Sequence, residues 1–238
     1  MIDFHCHILP QMDDGPDSLS ESLALLRRSA RQGVEVMVST CHFYADADYP
    51  SQFIARRNAA FLRLQDAMLG DTYAYPLIVL GAEVLYFPGI SQAQDIGMLK
   101  IGNGSTILVE PPMAPWSDTM LDEIADLGKN LNCKPVIAHV DRFMEILKDS
   151  RLIDRVLKRN MLVQVNAEYF TAPKTVRSAE RNLKRGNIHL IGSDCHNLTS
   201  RSPNLEQARY QAKVFGAELE FDELRRNSVK LLFPRGKR

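Results

Sequence analysis

The chain has 238 residues, 45% hydrophobic and 24% charged, a composition that excludes disordered and fibrous classes and leaves a folded globular protein. Lysine plus arginine balance aspartate plus glutamate at 29 each, which argues against a large basic surface for nucleic acid. No apolar run approaches the roughly 20 residues of a membrane helix, and no basic leader precedes His5, so a cytoplasmic protein without membrane insertion is expected.

Short β-branched runs alternate with longer amphipathic stretches, as repeated βα units around a parallel sheet require. Strands are expected near Ile2–Cys6, Val34–Cys41, Pro76–Glu83, Thr106–Glu110, Lys134–His139, Met161–Asn166 and Ile188–Gly192. Ser18-Leu19-Ser20-Glu21 reads as a capping box opening a helix that runs to about Gln32 and stops at Gly33. Further helices are expected at about Ser51–Met68, Ser117–Leu131, Arg151–Arg159 and Lys174–Lys184, then after Pro203 and at Phe221–Leu232. Seven such units in one domain spanning 1–238 predict an α/β fold, a closed or nearly closed barrel, with a doubly wound open sheet as the alternative.

Either architecture gathers function at the carboxyl ends of its parallel strands. There the sequence puts His5 and His7 (first strand), His42 (second), Glu83 (third), Glu110 (fourth), His139 (fifth), and Asp194 with His196 (seventh). Of six histidines only His189 lies elsewhere. In an extended strand His5-x-His7 puts both rings on one side, and Asp194-x-His196 repeats the spacing, so the intervening Cys6 and Cys195 read as packing thiols. Cys41, before His42, follows the same logic, and the four cysteines (with Cys133) form no CxxC pair. Burying imidazoles and carboxylates together costs several kcal/mol unless a cation joins them. Imidazole with carboxylate suits manganese, iron or zinc rather than calcium.

These blocks are similar to the polymerase-and-histidinol-phosphatase superfamily, and within it to bacterial metal-dependent protein-tyrosine phosphatases of the capsular and exopolysaccharide type. The resemblance rests on Met1-Ile2-Asp3-Phe4-His5-Cys6-His7-Ile8-Leu9-Pro10 leading to Asp13-Asp14-Gly15, on Thr40-Cys41-His42, and on Gly81-Ala82-Glu83. Val109-Glu110, Ile137-Ala138-His139-Val140-Asp141-Arg142, Gly192-Ser193-Asp194-Cys195-His196-Asn197 and Arg201-Ser202-Pro203 complete it. Cys41 stands where that family often has proline, Phe43 where a second histidine is frequent, and Val140-Asp141 replaces a common Pro-Glu pair.

The resemblance implies a distorted seven-stranded (βα)7 TIM-like barrel with the metal site at the C-terminal ends of its strands. It implies one ion on His5, His7, Glu83 and Asp194, with Glu83 bridging to a second on Glu110 and His139, and a third on Asp14, His42 and His196. Asp14 enters by resemblance alone; its own context is a turn, and Asp13 beside it remains a rival. Arg142 and Arg201 are implied to bind phosphoryl oxygens. Three divalent ions, manganese foremost with iron or zinc as alternatives, and four carboxylates sum to about +2, a charge that draws in phosphate.

The implied substrate is a phosphotyrosine-bearing protein, the tail of an autokinase controlling polysaccharide assembly. Tyr44, Tyr49, Tyr86, Phe87 and Trp116 lie where an aryl group could stack, or where they anchor their own loops. Arg225, Arg226, Lys230, Arg235, Lys237 and Arg238 could steer an acidic tail, or simply form a solvated helix face. Three rivals stand beside this reading: a histidinol-phosphate or other small-molecule phosphatase, a nuclease-like editing module, and a non-catalytic metal-binding regulatory module. Cys195-x5-Arg201 also matches the bare signature of cysteine-dependent tyrosine phosphatases, although His196-Asn197-Leu198-Thr199-Ser200 lacks the glycine a phosphate-cradling loop needs.

Overall fold

The structure, a computed structural model, describes residues 1–102, 104 and 106–234; Arg235, Lys237 and Arg238 lie outside the described residues. It is an α/β fold with a curled parallel sheet. The strands are β1 (Ile2–Cys6), β2 (Val36–Ser39), β3 (His42–Phe43), β4 (Leu77–Leu80), β5 (Glu83–Leu85), β6 (Thr106–Glu110), β7 (Lys134–Ile137), β8 (Leu162–Asn166) and β9 (Leu190–Gly192). They pair in two ladders, β1-β2-β4 and β3-β5-β6-β7-β8-β9. Two of the expected strands are thus broken. Within the run Val34–Cys41 only Val36–Ser39 is strand (β2), and β3 follows it at His42–Phe43; within Pro76–Glu83, β4 ends at Leu80 and β5 starts at the last residue, Glu83.

Backbone bonds bridge the ladders at both seams. Asp194 N–H donates to His5 O at 2.8 Å and His7 N–H to Cys195 O at 2.9 Å, joining β1 to the segment after β9. At the other seam Glu83 N–H is shared between Thr40 O and Cys41 O, and the buried Arg57 guanidinium donates to Gly81 O at 2.9 Å. Both seams are therefore bridged by hydrogen bonds.

The helices are α1 (Leu19–Arg31), α2 (Pro50–Leu69), α3 (Asp118–Asn130), α4 (Val140–Ile146), α5 (Leu152–Leu157), α6 (Val176–Lys184), α7 (Leu205–Val214) and α8 (Glu218–Leu232). Ser18 caps α1 by accepting from Glu21 N–H at 3.2 Å, while Glu21 reaches back to Asp17 N–H. Gly33, at φ +82°, takes the left-handed conformation that ends it. The buried face of α1 is Ser22, Leu25, Leu26 and Ser29, the three-and-four spacing of an amphipathic helix against a sheet. Ser117 caps α3 on Met120 N–H, and Pro50 opens α2 where a missing N–H costs nothing. Helix α4, directly after His139, was not expected.

The larger apolar cluster joins these helices to the sheet, and a smaller one takes alternate strand positions, Ile2 with Phe4, Val36 with Val38, and Val136 with Ala138, closed by Leu232 of α8. Each fully buried side chain such as Phe4 contributes about 1.5–3 kcal/mol. No helix among the described residues is long and apolar enough to cross a membrane.

Candidate metal centre

Glu110 ends β6 and His5 lies in β1; His42 and Glu83 open the short β3 and β5 beyond the two breaks, and His7, His139, Asp194 and His196 follow their strands within a few residues. His139 and Asp194 take left-handed backbone conformations at φ +29° and +52°, sparsely populated for residues with a Cβ. Gly192 is required for close approach: a Cβ there would lie 2.5 Å from His5 Cβ.

Neighbours that bind the far nitrogen of His5, His7 and His196 fix the tautomer of those three rings, whereas His139 Nδ1 has no partner among the described residues. Gln164 Oε1 accepts from His5 Nδ1 at 3.2 Å and from the His139 N–H at 2.6 Å. The amide orientation follows from Gln164 Nε2, which donates to Val165 O and Asn166 Oδ1. Asp13 Oδ2 accepts from His7 Nδ1 at 2.7 Å and from the His42 N–H at 2.9 Å. The Asp194 carbonyl accepts from His196 Nδ1 at 2.9 Å. With their protons on Nδ1, all three rings present the Nε2 lone pair, the arrangement that prepares histidine to hold a metal.

Those lone pairs converge with carboxylates. His5 Nε2 and His7 Nε2 stand 3.2 Å apart, 3.1 and 3.3 Å from Glu83 Oε2, and each 3.6 Å from Asp194 Oδ1. Glu83 Oε1 lies 2.9 Å from His139 Nε2, which is 3.4 Å from Glu110 Oε1. His196 Nε2 lies 3.0 Å from Asp14 Oδ1, and His42 Nε2 lies 3.5 Å from the same oxygen. Three groups have donor atoms mutually within 4.8 Å: His5, His7 and Glu83; His42, Glu83 and Glu110; and His7, Asp14, His42 and His196.

His42 Nδ1 is 3.2 Å from Glu83 Oε2, yet neither it nor His196 Nε2 makes an aligned hydrogen bond among the described residues. Residue type, lone-pair direction and convergence all fit divalent ions.

The electrostatics carry the same demand for positive charge. Burial alone would depress the His7 ring, but Asp13 and Glu83 hold its pKa well above the ordinary value. Burial is likewise outweighed at His139, raised to about 10 by Glu110 and Glu83. His196 is the exception, pushed down to about 4 by burial and by the neighbouring His7. Against their own burial, Glu83 and Asp194 are held below the usual carboxylate range, chiefly by His5.

Arg201 donates to Asp194 and Asp14, Arg142 lies 4.0 Å from Asp194 Oδ2, and both line a cavity of about 470 Å³ with Asn166, Asp194, Asn204 and Gln207. Cys195 is fully buried and Cys6 donates to Val38 O, so neither thiol faces that cavity, which removes the basis of the cysteine-nucleophile rival. Of the aromatics, Tyr44 stacks on the His42 ring at 5.5 Å, whereas Trp116 is buried against Phe143 and Tyr86 is tied to Glu123. The described basic residues near the end are paired, Arg225 with Glu35 and Arg226 and Lys230 with Glu223, as a solvated helix face is.

Sequence reasoning missed Gln164 and Asn166, whose Nδ2 donates to Asp194 Oδ2 at 3.2 Å, and left Asp13 undecided. The available signal was an amide inside the apolar run Leu162–Asn166.

A family model for capsular polysaccharide synthesis, CpsB/CapC, matches residues 1–233. Tyrosine-protein phosphatase CpsB from Streptococcus pneumoniae is 31% identical over 234 residues, 92% of each chain. Tyrosine-protein phosphatase YwqE from Bacillus subtilis is 30% identical over 232 residues, 93% of this chain and 87% of that one. A solved chain among the structures of YwqE from Bacillus subtilis and CpsB from Streptococcus pneumoniae, described as unique metal-dependent tyrosine phosphatases, shares the fold. Its TM-score is 0.85 at 24% identity, over 99% of this chain and 96% of that chain. The chain belongs to the CpsB/CapC family of capsular polysaccharide synthesis.

Proposed function

We propose that the chain is a metal-dependent protein-tyrosine phosphatase, a phosphoric monoester hydrolase that uses no cysteine nucleophile. The observation that carries this is the facing pair His5 Nε2 and His7 Nε2, 3.2 Å apart beside Glu83, with Gln164 and Asp13 holding the opposite nitrogens. Two relatives at least 30% identical bear the name tyrosine-protein phosphatase, which supports the substrate class.

In this reading His5, His7, Glu83 and Asp194 hold one ion, Glu83, Glu110 and His139 a second, and Asp14, His42 and His196 a third. The division of the Glu83 oxygens between His5 and His7 on one side and His139 on the other supports a bridging role. When bound, the ions supply Lewis acidity, an acidified water nucleophile and neutralisation of charge developing at phosphorus. Arg142 and Arg201, which line the cavity beside Asp194, would bind phosphoryl oxygens there, and Tyr44, 39% exposed above His42, offers an aryl group a surface. Manganese is the ion proposed, with iron and zinc compatible with the same donors.

The two ladders are proposed to be one distorted seven-stranded barrel in a single domain spanning 1–238, working in the cytoplasm. The proposed partner is the phosphotyrosine-bearing tail of an autokinase in polysaccharide assembly. Hydrolysis of a phosphotyrosyl peptide tests the function: activity is expected to vanish with chelator, return with Mn²⁺, survive Cys195→Ser and exceed activity on histidinol phosphate. Activity that resists chelator and dies with Cys195→Ser overturns it.

A further inference from the structure

Arg142 and Arg201 are held in contrasting ways. The Arg142 side chain is 44% exposed and comes no closer than 4.0 Å to Asp194 Oδ2. Arg201 is engaged on both arms: Nη2 donates to both Asp194 oxygens at 3.0 Å, and Nη1 donates to Asp14 Oδ2 at 3.0 Å. The oxygen that each carboxylate turns toward the histidines is Oδ1, 3.0 Å from His196 Nε2 for Asp14 and 3.6 Å from His5 Nε2 and His7 Nε2 for Asp194.

The two aspartates differ in what else secures them. Asp194 is buried and also accepts from Asn166 Nδ2. Asp14 stands in an open turn with its side chain 59% exposed, and the bond from Arg201 is the one hydrogen bond its carboxylate makes among the described residues. A free carboxylate in such a turn would rotate, presenting either oxygen or neither.

We infer that Arg201, besides its place in the phosphoryl cavity, is a positioning residue, a fork that aims Asp14 Oδ1 at His42 and His196 and thereby sets the affinity of that cation site, while Arg142 has no comparable tie to a carboxylate. This rests on the metal-centre reading above. Two effects of Arg201 oppose each other there. Its charge repels a nearby cation, so deleting the charge would strengthen binding, whereas losing the fork would weaken it. Lysine separates them, because it keeps the charge and lacks the planar two-armed geometry.

The experiment is calorimetric titration of metal-free full-length protein with Mn²⁺, comparing wild type, Arg201→Lys, Arg142→Lys, Asp14→Asn and the Asp14→Asn/Arg201→Lys double variant. Arg201→Lys is expected to weaken one ion by about 10–100-fold and leave the others unchanged, the usual effect of losing a partner that orients a ligand. Arg142→Lys is expected to bind every ion as wild type does and to raise KM for p-nitrophenyl phosphate. Asp14→Asn should weaken the same ion, and adding Arg201→Lys should weaken it no further. Wild-type Mn²⁺ affinity in Arg201→Lys, or independent losses in the double variant, overturns the positioning role. Wild-type protein that takes up no Mn²⁺ overturns the metal-centre reading itself.

Discussion

Replacing Gln164 with leucine removes a fully buried side chain that steadies two parts of the centre at once. Its Oε1 accepts from His5 Nδ1 and from the His139 N–H, so an apolar side chain of similar bulk strands both donors in dry surroundings. At about 1–3 kcal/mol for each stranded donor, unfolding free energy is expected to drop by about 2–6 kcal/mol, a large share of the roughly 5–15 kcal/mol of a typical domain. The His5 proton is then free to move to Nε2, where it competes with a cation, so Mn²⁺ affinity is expected to fall by about 10–100-fold. Urea unfolding of the metal-free protein by circular dichroism gives the first quantity and Mn²⁺ calorimetry the second. A stability loss below about 1 kcal/mol together with wild-type Mn²⁺ affinity would refute the assigned role.

Asp13→Asn keeps an acceptor for the His42 N–H but removes the charge behind His7 Nδ1; Mn²⁺ affinity is expected to fall by about tenfold or more, read by the same calorimetry. Gly192→Ala drives a methyl group into His5, 2.5 Å from its Cβ, and is expected to cost about 1–3 kcal/mol or more in thermal unfolding. Asp71, held by the Tyr75 phenol and the Arg27 guanidinium, has its pKa lowered from 3.8 to about 2. A lowered folded-state pKa stabilises the protein above the ordinary value, and the gain disappears as pH falls toward the folded value. The Tm deficit of Asp71→Asn is therefore expected at neutral pH, should shrink as pH falls through about 2 and vanish below it; a deficit that stays constant across that range contradicts the ion pair as its cause.

The histidine and carboxylate spacing was legible because period-two alternation and strand ends leave a mark in sequence. His5 and His7 meet as that spacing requires, whereas Asp194, left-handed at φ +52° and beyond the end of β9, meets His196 only through Nδ1, so the second pair does not follow the strand alternation. The breaks at Thr40–Cys41 and Gly81–Ala82 left no mark, because Val34–Cys41 reads as an unbroken β-branched run. What redirects the chain there is long-range bonding, from Glu83 N–H to Thr40 O and Cys41 O and from Arg57 to Gly81 O. Asp13 and Asp14 are chemically identical neighbours, and only folding puts one behind His7 and the other before His196. Helix α4 has seven residues, too few for a periodic pattern to show.

Elemental analysis of the full chain, purified without chelator and supplied with Mn²⁺, tests the metal centre most directly. Three divalent ions per chain are predicted, dropping when Glu83 is replaced by glutamine. Fewer than two ions per chain, in protein that still hydrolyses a phosphotyrosyl peptide, would contradict it.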